Sequence, residues 1–252
     1  MSVLYRPLRA RGSHVHTFIT SWPKVTENAN LLKKQLTPYS GTITMLDNPN
    51  CYFTEQWDAM LAQFVGDIVL WVMGDVTLPE YPSGMISAMH SWLRQPTIGV
   101  YGPDIDYTFH RWETQDFKQY SSNVYAVPCG EPNFWAINRK VISSLRPINP
   151  LDNYIGWGID LQVSATAEFL GLDTVRDYSF LVKHPKGTAY DGDLAEAQMS
   201  AWLDLLNPTM RDCMLRRWDE GLKYNLIYRD FQTQRKNEDH SSDNHDLHTD
   251  VP

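Results

Sequence analysis

The chain has 252 residues, of which 42% are hydrophobic and 12% aromatic, so it can bury the core of one α/β domain. Its net charge of −8 argues against a protein that binds by neutralising the phosphates of a nucleic-acid duplex. Three cysteines without a CxxC pair argue against a disulfide scaffold or a structural zinc site. With no long apolar run or apolar signal segment, we expect a cytoplasmic protein without a transmembrane segment.

The first hundred residues alternate between strand and helix patterns. They predict strands at residues 14–22, 42–46, 67–73 and 97–101, and helices at residues 27–36, 55–64 and 83–93. We expect Thr26 and Thr54 to cap the first two helices. The run DIVLWVM, which begins at Asp67, is typical of a central strand that is buried on both faces. The alternation predicts a parallel sheet joined by right-handed crossovers.

The second half of the chain is less regular. It predicts strands at residues 123–127, 133–137 and within 173–184, and helices at residues 138–145, 160–171, 195–206 and 209–229. We expect residues 104–122 to form a long aromatic and charged loop. Residues 233–252 are polar and predict a disordered tail, whose histidines we expect to be solvated rather than to bind metal: His240, His245 and His248.

Polar residues follow the first three predicted strands. Thr20 and Ser21 end the first strand, Asp47 and Asn48 follow the second, and Asp75 follows the third. Ligands of open parallel sheets bind beyond the carboxyl ends of the strands, so these residues are candidates for a binding site. The sequence contains neither GxGxxG nor GxxxxGK[ST], which disfavours a Rossmann dinucleotide site and a P-loop.

Four segments, in this order, resemble those of the GT-A glycosyltransferases. TMLDNPN around Asp47 is similar to the strand end that meets the nucleotide base, and GDIVLWVMGDVTLPE is similar to the strand with an acidic DxD-type motif. Met73 stands where the first Asp of that motif would be, which leaves Asp75. NYIGWGIDLQV resembles the GWG-acidic segment of inverting enzymes, with Asp160 in the acidic position. SFLVKHPKGTAYD resembles the strand that ends in a metal-binding His, with His184 in its place.

The resemblance implies the fold and the activity. The implied fold class is α/β, a GT-A type mixed sheet flanked by helices with a C-terminal helical extension. It implies an N-terminal arm (1–13) and one catalytic domain (14–232), with a nucleotide-binding half (14–102) and an acceptor half (103–232). The implied reaction is metal-dependent transfer of a sugar, with inversion, from a nucleotide-sugar such as a UDP-sugar to a hydroxyl acceptor.

The resemblance also implies a role for each candidate residue. Asp160 would be the general base, and Asp75 and His184 would hold Mn²⁺ or Mg²⁺, with Mn²⁺ better suited to oxygen and imidazole ligands. Residues that would bind the nucleotide are Thr20, Ser21, Asp47, Asn48 and Lys186. Residues that would face the sugar or the acceptor are Trp135, Trp157 and Gly158.

Structural alternatives exist for these residues. Asp47 and Asp75 also fit turns, Asp160 fits a first-turn acid of a helix, and His184 fits a packed strand end. Both tryptophans also fit the core. Cys129 has no base at a fixed spacing, and we interpret it as structural rather than nucleophilic.

Two alternative functions and a choice of acceptor also remain. A nucleotidyltransferase shares the architecture, but ITSWPKVTEN lacks the Gly-rich basic loop expected after the first strand. A non-catalytic nucleotide-sugar-binding relative fits the incomplete DxD motif. The acceptor is a carbohydrate or another hydroxyl compound, or a hydroxylated base of a nucleic acid if a local basic patch forms from Arg111, Lys118, Arg139, Lys140 and Arg146.

Overall fold

The computed structural model of the chain describes residues 14–47, 52–108, 110–185 and 190–226. The predicted arm (1–13), Asn48, Lys186 and the predicted tail with its three histidines lie outside the described residues. The strands are β1 (Val15–Ser21), β2 (Thr42–Asp47), β3 (Ile68–Val72), β4 (Ile98–Ile105), β5 (Gln119–Ser121), β6 (Val124–Ala126), β7 (Phe134–Asn138) and β8 (Asp173–Val182). The α-helices are α1 (Thr26–Leu36), α2 (Phe53–Gln63), α3 (Ser83–Leu93), α4 (Arg139–Ile142), α5 (Ile159–Phe169), α6 (Gly192–Leu205) and α7 (Pro208–Tyr224).

The described strands form one mixed sheet in the order β2-β1-β3-β7-β4-β8-β6-β5. The pairs β1–β2, β1–β3 and β4–β8 are parallel, while β7 runs antiparallel to both β3 and β4. The carboxyl ends of β1, β2, β3, β4 and β8 therefore point to the same edge of the sheet. That edge carries the candidate site.

The sheet separates two hydrophobic cores. Strand β3 is buried along its whole length, and its alternate residues serve both cores: Val69 and Trp71 face one, and Leu70 and Val72 face the other. Helices α1 and α3 cover the Leu70 side, and helices α2, α5, α6 and α7 cover the Trp71 side. This burial on both faces explains why β3 is a continuous apolar run rather than an alternating one.

The predicted elements are present, with four differences. Residues 119–121 form strand β5 inside the predicted loop. Strand β7 inserts between β3 and β4, so the sheet is mixed, as the GT-A resemblance implies, and not parallel throughout, as the alternation alone predicts. The helix predicted at 138–145 has one turn, capped where the Asn138 side chain accepts a hydrogen bond from the Val141 amide. Thr26 and Thr54 do not cap their helices: both lie inside them and donate to the carbonyl oxygens of Trp22 and Asn153.

The C-terminal helical extension consists of α6 and α7, which are joined by Leu206 and Asn207. The Asp191 side chain caps α6, and the Asn207 side chain caps α7, whose first residue is Pro208. Among the described helices, none is both long enough and apolar enough to cross a bilayer.

Candidate functional site

Two segments distant in sequence meet beyond the carboxyl ends of β3 and β8. Thr77 and Lys183 exchange two backbone hydrogen bonds, of 2.8 and 3.0 Å, and this bridge brings Asp75 beside His184. Asp75 Oδ2 lies 3.5 Å from His184 Nε2, and both side chains are largely buried. The His184 amide donates to Asp106 Oδ1 at 2.8 Å, which fixes the backbone where β8 ends.

The charge state of this pair follows from its surroundings. Burial lowers the pKa of His184, but the hydrogen bond and the charge of Asp75 outweigh it, so the pKa of His184 is raised. The other carboxylate oxygen, Asp75 Oδ1, is buried and has no hydrogen-bond partner among the described residues. A buried oxygen without a partner is costly in an isolated protein. A carboxylate and an imidazole at this spacing fit a divalent cation such as Mn²⁺.

Asp160 lies in the first turn of α5, and two glycines shape the backbone before it. Gly156 and Gly158 have φ values of 92° and 88°, in the left-handed region that favours glycine. A Cβ atom on Gly156 would lie 2.9 Å from Phe53 Cβ, and one on Gly158 would lie 3.1 Å from Met199 Cγ. The GWG segment therefore meets both a conformational and a packing requirement at the start of α5.

The Asp160 carboxylate accepts two side-chain hydrogen bonds. His110 Nε2 lies 2.9 Å and Cys129 Sγ 3.1 Å from the same oxygen, Oδ2. Burial raises the pKa of Asp160, but the two hydrogen bonds and the His110 charge outweigh burial and lower it. The possible metal-ligand atoms of His110, Cys129 and Asp160 lie within 4.8 Å of one another, which is a spacing found in metal sites. In this arrangement Oδ2 accepts hydrogen bonds from both His110 Nε2 and Cys129 Sγ.

Glu131 connects the two groups of residues. It is 5% exposed and accepts a hydrogen bond from the Thr108 hydroxyl. Burial raises its pKa, while the charges of His110, Arg176 and His184 oppose that rise and the charge of Asp160 adds to it. The charges of His184, His110 and Asp160 all act on the pKa of Glu131, so His184 and Asp160 both lie in the electrostatic surroundings of this buried acid.

Comparisons with known proteins concern the fold of the chain. No family model and no curated protein matches the sequence. The fold is similar to that of a mannosyltransferase from Pyrobaculum calidifontis in complex with GDP-Man and Mn²⁺, with a TM-score of 0.51, 10% identity, and coverage of 84% of this chain and 70% of that one. It is also similar to glucosyl-3-phosphoglycerate synthase from Mycobacterium tuberculosis in complex with Mn²⁺, UDP and glucosyl-3-phosphoglycerate, with a TM-score of 0.52, 12% identity, and coverage of 78% and 80%. The chain has a GT-A fold.

The predicted nucleotide-binding residues of this GT-A domain divide into buried and exposed ones. Asp47 is exposed at the end of β2, opposite Ser21 in register. Thr20 is fully buried, and its hydroxyl accepts a 3.0 Å hydrogen bond from the Gly74 amide. Ser21 is 2% exposed. The prediction that Thr20 and Ser21 contact the nucleotide is therefore corrected: both side chains are buried at the end of β1, and Thr20 supports the turn before Asp75.

The two predicted sugar-facing tryptophans have different environments. Trp135 is fully buried on β7, with its ring 5.6 Å from that of Trp57, so the prediction that it stacks on a sugar is wrong. Trp157 is partly exposed, and its indole nitrogen donates to the Tyr190 hydroxyl at 2.8 Å. Burial, together with the charges of Asp160 and Glu131, raises the pKa of Tyr190. Trp157 and Tyr190 therefore border the Asp160 region, and Gly158 supplies the turn between Trp157 and the helix.

Two cations of the possible basic patch, Lys118 and Arg139, lie away from the candidate site. Lys118 pairs with Asp173 at 2.8 Å, at the start of β8. Arg139 donates to the Gly66 carbonyl, just before β3. Both cations are thus at the amino ends of their neighbouring strands, at the edge of the sheet opposite the candidate site. This separation disfavours a nucleic-acid acceptor held by these residues.

Three residues of the site were not found from the sequence: His110, Glu131 and Tyr190. His110 lies in the region predicted as a loop, Glu131 lies between β6 and β7, and Tyr190 precedes α6. All three belong to irregular segments whose path depends on long-range packing. The only signal for His110 was its place in a segment rich in aromatic and charged residues.

Proposed function

We propose that this GT-A domain is a metal-dependent glycosyltransferase that transfers a sugar, with inversion, from a UDP-sugar to a hydroxyl acceptor. The observation that carries the proposal is the meeting of Asp75 and His184 at 3.5 Å, with Asp75 Oδ1 buried and without a partner among the described residues. A hydrogen-bonded carboxylate, Asp160, lies with His184 in the electrostatic surroundings of Glu131. The mannosyltransferase and the synthase of similar fold, each in complex with Mn²⁺ and a nucleotide or nucleotide-sugar, support this class of reaction.

Asp75 and His184 are the residues that would hold Mn²⁺ or Mg²⁺. A divalent cation supplies Lewis-acid stabilisation of the negative charge on a departing diphosphate. The exposed carboxylate of Asp47, at the neighbouring strand end, is suited to accept hydrogen bonds from the nucleoside. Trp157, held by Tyr190, offers an aromatic face for the apolar side of a sugar.

Asp160 is the proposed general base. It accepts the proton of the acceptor hydroxyl as the acceptor oxygen forms a bond to the anomeric carbon. The bond from that carbon to the diphosphate oxygen breaks on the opposite face, and its electron pair leaves with the nucleoside diphosphate. Attack opposite the leaving group inverts the anomeric configuration. The acceptor that we propose is a carbohydrate hydroxyl, since Lys118 and Arg139 of the possible basic patch lie at the opposite edge of the sheet.

A non-catalytic nucleotide-sugar-binding protein is the second candidate, because Met73 replaces the first acid of the DxD-type motif. The two candidates differ in turnover. A binding protein retains UDP and releases no nucleoside diphosphate from a UDP-sugar, whereas a transferase slowly transfers the sugar to water in the absence of its acceptor.

The direct test is the Asp160→Asn variant. Removing a general base lowers the rate about 10²–10⁴-fold, so sugar hydrolysis or transfer should fall by that factor while UDP binding, measured by calorimetry with Mn²⁺, stays at the parent affinity. Turnover at the parent rate would refute the assignment of Asp160 as the base. Turnover absent from the parent itself, with UDP still bound, would favour the binding protein.

A further inference from the structure

We propose that His110 and Cys129 are positioning residues for the base, which hold Asp160 by one oxygen, Oδ2, and leave Oδ1 as the oxygen that accepts the proton. This inference rests on the proposed function and extends it to two residues that do not touch the substrate. It is carried by the geometry of three side chains from three separate segments of the chain.

The two hydrogen bonds converge on one atom. His110 Nε2 and Cys129 Sγ lie 2.9 and 3.1 Å from Asp160 Oδ2, and neither of these side-chain hydrogen bonds engages Oδ1. The Leu161 amide also donates to the carboxylate, and Cys129 Sγ also lies 3.3 Å from the Gly130 carbonyl oxygen. Two donors on one oxygen fix the rotation of the carboxylate as well as its position. Because Oδ2 is a hydrogen-bond acceptor towards both, His110 carries its proton on Nε2 and Cys129 is a thiol in this arrangement.

His110 is held by its backbone and by one ring contact. The His110 amide donates to the Thr108 hydroxyl at 3.0 Å, and that hydroxyl donates to Glu131. The His110 carbonyl accepts a hydrogen bond from the buried Arg176, and its ring packs against Trp112 with the centroids 5.2 Å apart. A donor that is fixed in this way imposes one orientation on its acceptor.

The backbone next to Cys129 is held by helix α7. Arg217 Nε donates to the carbonyl of Pro128 at 2.7 Å, and the same guanidinium pairs with Glu168 of α5. Burial and the neighbouring Asp160 carboxylate raise the pKa of the Cys129 thiol. Cys129 is therefore a buried donor rather than a nucleophile, which agrees with its interpretation as structural.

The positioning has a consequence for the acidity of the base. Both hydrogen bonds favour the charged form of Asp160, and with the His110 charge they lower its pKa despite burial. The base is then a carboxylate throughout the neutral range, and activity should fall only when the pH is low enough to protonate it. The titratable and charged groups that face Asp160 or its two donors are His110, Cys129, Glu131, Tyr190, Arg176 and Arg217.

The test compares His110→Ala with His110→Gln, whose amide nitrogen replaces the Nε2 donor. The ¹³C signal of the Asp160 carboxyl, assigned with the Asp160→Asn variant, reports the pKa of Asp160 without any substrate. We expect His110→Ala to raise that pKa by about 1–2 units, the value of a hydrogen bond to a charged group, and His110→Gln to restore most of it. Cys129→Ala should raise the pKa by less, and Cys129→Ser should return it towards the parent value.

A kinetic readout completes the test. The acid limb of the pH profile for UDP-sugar hydrolysis with Mn²⁺ should move to higher pH in His110→Ala, by the same amount as the carboxyl titration. If His110→Ala folds and the pKa of Asp160 is unchanged, the proposal is overturned. If His110→Ala does not fold, an unchanged Asp160 pKa in Cys129→Ala overturns it instead. A parent rate in Asp160→Asn would instead refute the proposed function, so the two failures are distinguishable.

Discussion

At the scale of single residues, the proposed cation site depends on Asp75. Its Oδ2 faces His184, and its Oδ1 is buried without a partner among the described residues. A carboxylate at the end of an apolar strand is stable only if something satisfies it, and the imidazole alone satisfies one of its two oxygens. A bound cation would satisfy the other.

The Asp75→Ala variant tests this account. We expect UDP to bind the parent at least tenfold more tightly with Mn²⁺ than without it, and this difference to disappear in Asp75→Ala, because the variant lacks the only oxygen ligand assigned to the cation. Titration calorimetry with and without Mn²⁺ measures both affinities. Asp204→Ala, which removes a 79% exposed carboxylate far along α6, is the matched control and should behave as the parent. A metal effect that persists in Asp75→Ala contradicts the assignment.

At the scale of elements, the site depends on where helix α5 begins. Gly158 precedes α5 with φ 88°, and a Cβ atom there would lie 3.1 Å from Met199 Cγ and 3.1 Å from Trp202 Cζ3 of α6. The start of α5 thus packs against α6, and a displaced start would carry Asp160 away from His110 and Cys129.

Gly158→Ala should destabilise the domain more than Gly171→Ala. Gly171 also has a left-handed backbone, with φ 70°, but a Cβ atom there would meet nothing within 4 Å. Gly171→Ala therefore carries the conformational cost alone, about 1–2 kcal/mol, and Gly158→Ala adds steric overlap in α6. Chemical denaturation measures the difference between the two free energies of unfolding. Equal losses would show that the Gly158 contact with α6 has no energetic weight.

Some features of the strands can be predicted from the sequence, and others cannot. The run DIVLWVM predicts the buried strand β3 because burial on both faces leaves a continuous apolar pattern, and the strand-end rule then directs attention to Asp75. The insertion of β7 between β3 and β4 was not predicted, since a short apolar segment carries no record of its neighbours. Thr20 shows the same limit: its position at a strand end is evident from the sequence, but its burial beneath Gly74 is not.

At the scale of the whole molecule, the buried carboxyl group of Glu131 should lower stability as the pH rises. Burial raises the pKa of Glu131 above its value in the unfolded chain. Below the unfolded pKa both states are protonated and no penalty exists. As the pH rises through the folded pKa, the folded state must hold a buried carboxylate, and each unit of pKa elevation costs about 1.4 kcal/mol there.

Glu131→Gln removes this penalty while keeping an acceptor for Thr108. We therefore expect the free energy of unfolding of Glu131→Gln, minus that of the parent, to increase between pH 4 and pH 8. Urea denaturation at several pH values measures it. Glu196→Gln, at an exposed position of α6, is the control and should give a difference that is independent of pH. A Glu131→Gln difference that falls with pH would mean that Glu131 is stabilising as a carboxylate.

The most direct measurement of the central claim is a screen of nucleotide-sugars for hydrolysis in the presence of Mn²⁺. If Asp75, His184 and Asp160 form one catalytic site, the parent protein releases nucleoside diphosphate from at least one UDP-sugar, and both Asp75→Ala and Asp160→Asn lose that release. If the parent neither hydrolyses nor binds any of the nucleotide-sugars, with or without Mn²⁺, the account of this site is wrong.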